Sequence, residues 1–183
     1  MRVISGSARG TRLETLPGED VTRPTIDRVK EGMFSALQFL LPGARVLDLF
    51  AGSGQLGIEA LSRGAARCVF VDSSRPAVEV VKRNCRAAGV ENQAQVVWGE
   101  ADKFLARTQD TFHLALLDPP YRHGTLAEIL PLLAAHMEPG GTVLCGSELA
   151  ADLPDEAAGL EKIKQYRYGT VLVTRYQKRS ADL

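Results

Sequence analysis

Asp118-Pro119-Pro120-Tyr121 follows the apolar run Phe112-His113-Leu114-Ala115-Leu116-Leu117, which puts a carboxylate and an aromatic ring at the mouth of a buried strand. The two prolines cannot extend a sheet ladder, fix their φ angles and remove two backbone donors. The Asp118 carboxylate and the Pro119 carbonyl are thereby left as clustered acceptors. Two acceptors beside a flat ring suit an amino group on a planar base. The plainer alternative is an Asp-Pro turn that only closes the strand.

A second constellation lies upstream, in Val46-Leu47-Asp48-Leu49-Phe50-Ala51-Gly52-Ser53-Gly54-Gln55-Leu56-Gly57. A strand ends in a carboxylate and a glycine-rich turn opens a helix, so Phe50, Ala51, Gly52, Ser53 and Gly54 are candidate ligand contacts. Gly52 and Gly54 permit close backbone approach, and the first turn of the helix offers unsatisfied N–H groups. The spacing also satisfies Gly-x-Gly-x-x-Gly, the dinucleotide fingerprint. Charge separates the two readings. Asp48 would repel a pyrophosphate but attract the ammonium or sulfonium of S-adenosyl-L-methionine. Asp72, with Ser73 beside it, ends the next strand and can accept from both ribose hydroxyls. Asp102, in Gly99-Glu100-Ala101-Asp102, can accept from the adenine amine, with Glu100 as its competitor. Asp72 or Asp102 alone could equally be a helix cap.

The elements that must position these groups follow from periodicity. Residues 1 to about 22 carry Arg2, Arg9 and Arg12 among glycines and a proline, which suggests a short β-hairpin or arm outside the main core. Ile26, Val29, Met33, Leu37 and Leu41 recur at three- and four-residue steps and predict an amphipathic helix over 25–41. Strands over 45–49, 67–71, 95–98, 112–117 and 142–145 then alternate with helices over 55–63, 76–88, 101–108 and 126–136. Such alternation predicts a mainly parallel sheet covered on both faces. Residues 160–168 and 170–177, joined at Gly169, read as an antiparallel hairpin on the sheet edge.

Composition limits the function classes. The 183 residues are 45% hydrophobic and 24% charged, with 22 basic and 22 acidic side chains, which fits one domain, 1–183. With no net charge, a nucleic-acid partner needs a local basic patch. Cys68, Cys85 and Cys145 are widely spaced and form no metal-ligand pattern, so a reduced, cytoplasmic protein with no metal is expected. No apolar stretch reaches the roughly 18 to 20 residues of a membrane span.

Taken with these motifs, the chain resembles the class I methyltransferases, and specifically the bacterial small-subunit ribosomal RNA guanine-N2 methyltransferase family called RsmD. The resemblance rests on Gly6-Ser7-Ala8-Arg9-Gly10-Thr11-Arg12-Leu13, on Arg23-Pro24-Thr25-Ile26-Asp27-Arg28-Val29-Lys30-Glu31, on the turn Leu47 to Gly54 with Leu61-Ser62-Arg63-Gly64-Ala65, and on Asp118-Pro119-Pro120-Tyr121. It implies a Rossmann-like α/β fold with a mostly parallel seven-stranded sheet. An N-terminal hairpin and helix, 1–41, would contact RNA and pack on a catalytic core, 42–183. The implied activity is methylation of the exocyclic amine of one guanine, position 966 of 16S rRNA, with S-adenosyl-L-methionine as donor. The substrate would be the small subunit or an assembly intermediate, without an obligate protein partner. Asp118, Pro119, Pro120 and Tyr121 would be catalytic. Arg9, Arg12, Arg23, Arg28 and Arg122, with His123 nearby, would meet RNA, although Arg28 and Lys30 could be a solvated helix face. Gln55 and Asp72 depart from the family pattern, where a small residue and Glu are expected. A DNA adenine-N6 methyltransferase would share the turn and the tetrapeptide but needs a target-recognition segment; a non-catalytic rRNA assembly module is the alternative of another class.

Overall fold

The computed structural model describes residues 1–17, 23–120 and 124–180. Strands β1 (Arg45–Leu49), β2 (Arg67–Asp72), β3 (Ala94–Trp98), β4 (Phe112–Leu117) and β5 (Met137–Glu148) run parallel. Strands β6 (Glu156–Ala157), β7 (Leu160–Tyr168) and β8 (Val171–Lys178) join antiparallel, in the order β3-β2-β1-β4-β5-β8-β7-β6. Helices α1 (Arg23–Leu37), α2 (Gln55–Ser62), α3 (Arg75–Ala87), α4 (Ala101–Arg107) and α5 (Thr125–Ala134) complete it.

The inner strands read as nearly unbroken apolar runs because both of their faces are covered. Alternate residues serve opposite layers. Val46, Phe70, Leu114 and Leu116 pack with Phe34, Leu37, Ile58 and Val81 on one side. Leu47, Leu49, Val71 and Leu117 pack with Leu105, Ile129, Leu130 and Leu133 on the other. The parallel register sets Leu49 opposite both Val71 and Leu117, so Asp48, Asp72 and Asp118 emerge at one edge of the sheet.

Three expectations are revised. The sheet has eight strands rather than seven: the two-residue β6 forms the edge, and the predicted hairpin is inserted with β8 between β5 and β7. Strand β5 is much longer than 142–145, because Glu138-Pro139-Gly140-Gly141, a turn by composition, is absorbed where the β4–β5 register slips between Phe112 and Leu114. The N-terminal arm does not lie outside the core. It is pinned by one bridge between Arg2 and Arg12, and it buries Val3, Ala8 and Leu13 in the α2 layer.

What holds the arm down is a buried charge. Glu59, fully buried in α2, accepts from the backbone N–H groups of Ile4 (2.9 Å) and Ser5 (3.1 Å) and from Arg63 Nε (2.9 Å). The Lys30 ammonium of α1 lies 3.3 Å from Glu59 and donates to the Arg2 carbonyl at 3.0 Å. Lys30 is 2% exposed, so it is no part of a solvated face, and burial pulls its pKa down against the pull of Glu59. Removing one partner of a buried, hydrogen-bonded pair costs about 3 to 5 kcal/mol, far more than replacing both with apolar groups. Glu59→Leu should therefore lower Tm by roughly 10 °C, at about 2 to 4 °C per kcal/mol for a chain of this size. Adding Lys30→Met should recover part of that loss in the same thermal melt.

Candidate active site

Asp48, next to last in β1, is only 1% exposed, and its Oδ2 accepts from the Gly57 N–H at 2.9 Å, in the first turn of α2. Burial holds its carboxyl well above the usual carboxylate range; the Gly57 N–H opposes that shift, while the charges of Asp118 and Asp72 add to it. The carboxylate predicted to attract a cation is thus a buried acid facing two others, with no basic side chain among the groups that set its pKa. A cation bound at this edge would relieve that misfit, whereas a pyrophosphate would worsen it. The donor set therefore fits S-adenosyl-L-methionine.

Asp72 organises the turn itself. Its Oδ2 accepts from the Gly52 N–H at 2.9 Å and its Oδ1 from the Ser74 N–H at 2.8 Å, while the Ser74 hydroxyl caps α3 through the Ala77 N–H. Lone pairs on both Asp72 oxygens remain for a diol. Ala51 donates to the Val71 carbonyl at 2.9 Å, so β2 carries the loop that β1 begins. Phe50 sits at φ 65, a left-handed conformation that a bulky residue adopts at a cost of about 1 to 2 kcal/mol. Gly54 needs its φ of 82 to turn into α2, and a Cβ at Gly57 would come within 2.3 Å of the Phe70 ring.

Two buried polar residues that sequence reasoning passed over secure this turn and the arm beside it. Asn84 of α3, 1% exposed, donates to the Ser53 carbonyl at 2.9 Å and to the Glu14 carbonyl at 3.1 Å, and accepts from the Glu14 N–H at 2.8 Å. It locks the arm to the ligand turn across 70 residues of sequence. The signal was available: an asparagine on the buried stripe of Val78, Val81 and Cys85 has no apolar reason to be there. Glu59, amid Ile58, Ala60 and Leu61, carried the same signal.

Asp118 is solvent-facing, and a Cβ on Gly146 of β5 would fall 3.0 Å from its Oδ1, so the carboxylate leans over a position kept empty for it. Pro119 is buried and Pro120 exposed. Tyr121, Arg122 and His123 lie outside the described residues. Asp102 is exposed within α4, where its Oδ1 takes the Lys103 N–H at 2.9 Å. Glu100 is nearer the strand end and makes no side-chain capping bond.

Arg9 is exposed at the arm's tip, beside Ser62 at the far end of α2, about 12 Å of helix from the turn. Arg12 is exposed beside Arg2, Arg28 is exposed on α1, and Arg23 begins that helix.

This strand order, with a glycine turn and acids on consecutive parallel strand ends, defines a Rossmann-like class I methyltransferase fold. The family model described as Conserved hypothetical protein 95 matches residues 1–177. A Bacillus subtilis relative, "Putative rRNA methyltransferase YlbH", is 39% identical over 98% of this chain and 100% of its own length. The Escherichia coli "Ribosomal RNA small subunit methyltransferase D" is 34% identical over 97% of this chain and 90% of its own. A solved structure, "Putative methyltransferase yhhF from Escherichia coli", superposes with a TM-score of 0.85 at 32% identity, covering 98% of both chains. The chain belongs to this RsmD family of methyltransferases.

The raised pKa of Asp48 gives a signed expectation. Its folded-state pKa lies above the unfolded value, so the folded state binds the proton more tightly and stability falls as pH rises from the unfolded toward the folded pKa. Above the unfolded pKa the carboxyl carries a stability cost that an amide lacks, and an amide oxygen can still accept from Gly57. Asp48→Asn should raise Tm at pH 7 while weakening binding of S-adenosyl-L-methionine by at least tenfold in calorimetry. A lower Tm with unchanged binding would contradict both statements.

Proposed function

We propose that the chain methylates the exocyclic N2 amine of one guanine in 16S rRNA, position 966, using S-adenosyl-L-methionine. The observation that carries this reading is the side-by-side placement of Asp48, Asp72 and Asp118 on one sheet edge. The rRNA substrate is taken from relatives whose names specify the small subunit. An rRNA substrate in a bacterial family supports a cytoplasmic reaction.

In this reading Asp48 and the Gly52–Gly54 turn hold the methionine end, Asp72 with Ser73 holds the ribose, and Glu100 or Asp102 takes the adenine amine. Bound there, the cofactor supplies an electrophilic methyl on a sulfonium, open to direct displacement. The chain's own work is on the acceptor. A guanine amine is a poor nucleophile because its lone pair is delocalised into the ring. Asp118 and the Pro119 carbonyl accept its two N–H bonds and favour a pyramidal nitrogen with its lone pair directed at the methyl. The Asp118 charge also offsets the positive charge that grows on nitrogen as its bond to carbon forms. Tyr121 stacks on the extruded base. Alignment of this kind can contribute roughly 7 to 11 kcal/mol of barrier lowering.

The test is to map modified guanine in 16S rRNA from cells lacking the gene, complemented with the wild type or with Asp118→Ala. The wild type should restore N2-methylguanine at a single position. Asp118→Ala should bind cofactor normally in calorimetry yet lose methyl transfer by a factor of about 100 or more, the scale for removing one preorganised transition-state contact. Normal turnover by Asp118→Ala, or no change in any guanine, would overturn the proposal.

A further inference from the structure

Beyond the reacting groups, the C-terminal hairpin carries a ladder of rings and cations whose two rings pack against the core beside α1 yet stay half exposed. Lys164, Tyr166 and Tyr168 alternate along β7 and so share one face, with Arg175 paired to Lys164 across β8. The two tyrosine rings are stacked, 6.5 Å between centroids and 19° from parallel, and Lys164 Nζ lies 4.9 Å from the Tyr166 centroid. Lys164 is exposed, and both rings are only half buried. Among the described residues neither Lys164 nor Arg175 has an ion-pair partner, and the buried Arg175 Nε has no hydrogen-bond partner. The contrast on the same hairpin is sharp: Lys162 pairs with Asp155 and Arg179 with Glu161, at the end remote from the active edge.

Register places the ladder. Leu117 of β4 is opposite Cys145, which is opposite Thr174, which is opposite Gln165. Tyr166 and Tyr168 therefore stand at or beyond the level of Asp118, three strands away, about 14 Å at the usual strand spacing. Tyr168 packs on α1 at Gly32, one turn below the exposed Arg28, because that helix runs from this edge toward the start of β1. Arg28, Lys164 and Arg175, none of which has an ion-pair partner among the described residues, thus flank two stacked rings on the Asp118 side of the sheet.

We infer that this face binds the single-stranded RNA next to the target nucleotide, with bases stacking on Tyr166 and Tyr168 and phosphates meeting Lys164, Arg175 and Arg28. The chemistry is that of single-strand platforms: aromatic faces accept any base, and cations free of internal acids take the backbone. A protein partner is less well matched, since the unpaired cations would require an acidic partner surface that the stacked rings do nothing to recognise. The inference rests on the proposed RNA substrate and names the surface that would deliver it.

The experiment uses the full chain with a fluorescein-labelled, unstructured 12-nucleotide RNA, read by anisotropy and by mapping of ultraviolet crosslinks. Tyr166→Leu should weaken binding about 5- to 100-fold, the range for loss of one stacked base, whereas Tyr166→Phe should bind as the wild type does. Lys164→Ala should reduce the slope of log K against log salt by about 0.7, one phosphate contact on a single strand. Thermal melts and cofactor titration should be unchanged in Lys164→Ala, which guards against a folding defect. Crosslinks at Tyr166 or Tyr168 support the surface even if the methylated base proves to be another, so the two proposals fail separately. Wild-type binding by both Tyr166→Leu and Lys164→Ala, or crosslinks confined to the N-terminal arm, would overturn it, as would an acidic peptide that displaces the RNA without loss of affinity in Lys164→Ala.

Discussion

Three carboxylates forced together by parallel pairing are the constraint on which the rest of the structure turns. Parallel register leaves no freedom: once Leu49 pairs with Val71 and Leu117, the acids at Asp48, Asp72 and Asp118 must share one edge. Asp48 is also sealed from water, so its charge is stabilised mainly by the Gly57 N–H. Such an arrangement is poor for stability and well suited to a cationic ligand. Electrostatic misfit of this kind is a common mark of functional sites.

The surrounding polar groups keep that edge from collapsing. Asp72 ties the glycine turn to β2, and Asn84 ties it to α3 and to the N-terminal arm. Glu59 and Lys30 fasten the start of the same arm to α1 and α2. The arm is therefore a clamp over the helix that carries the ligand turn, and α1 reaches from that clamp to the hairpin bearing Tyr168. One continuous layer of packing connects the glycine-turn side of the sheet to the hairpin side.

Much of this was legible in the sequence, and the exceptions have physical reasons. Alternating strands and helices, the glycine turn after Asp48 and the Gly169 hairpin are local patterns, and apart from β5 and the end of α1, which stops at Leu37 rather than Leu41, the elements fall close to their expected places. The long β5 was hidden because Pro139 and Gly140 signal a turn, and only pairing with β4 and β8 makes that stretch a strand. Lys30 reads as a surface residue beside Asp27 and Glu31; its burial depends on Glu59, whose own role appears only when α2 is covered by the arm. Proximity of Arg9 to the motif-bearing segments likewise says nothing about its position at the far end of α2. The tyrosine ladder is a period-two pattern that the sequence displays, but its place beside Asp118 comes from the insertion of β8 between β5 and β7.

The acidic edge is proposed to be an electrostatic receptor for a cationic methyl donor. Calorimetric titration with S-adenosyl-L-methionine near pH 6, where its amine is fully protonated, in two buffers of different ionisation enthalpy measures proton exchange directly. Any proton exchanged on binding is expected to be released rather than taken up, because an incoming cation draws the Asp48 pKa down toward its ordinary value. Proton uptake on binding, or binding of NAD in place of the methyl donor, would contradict it.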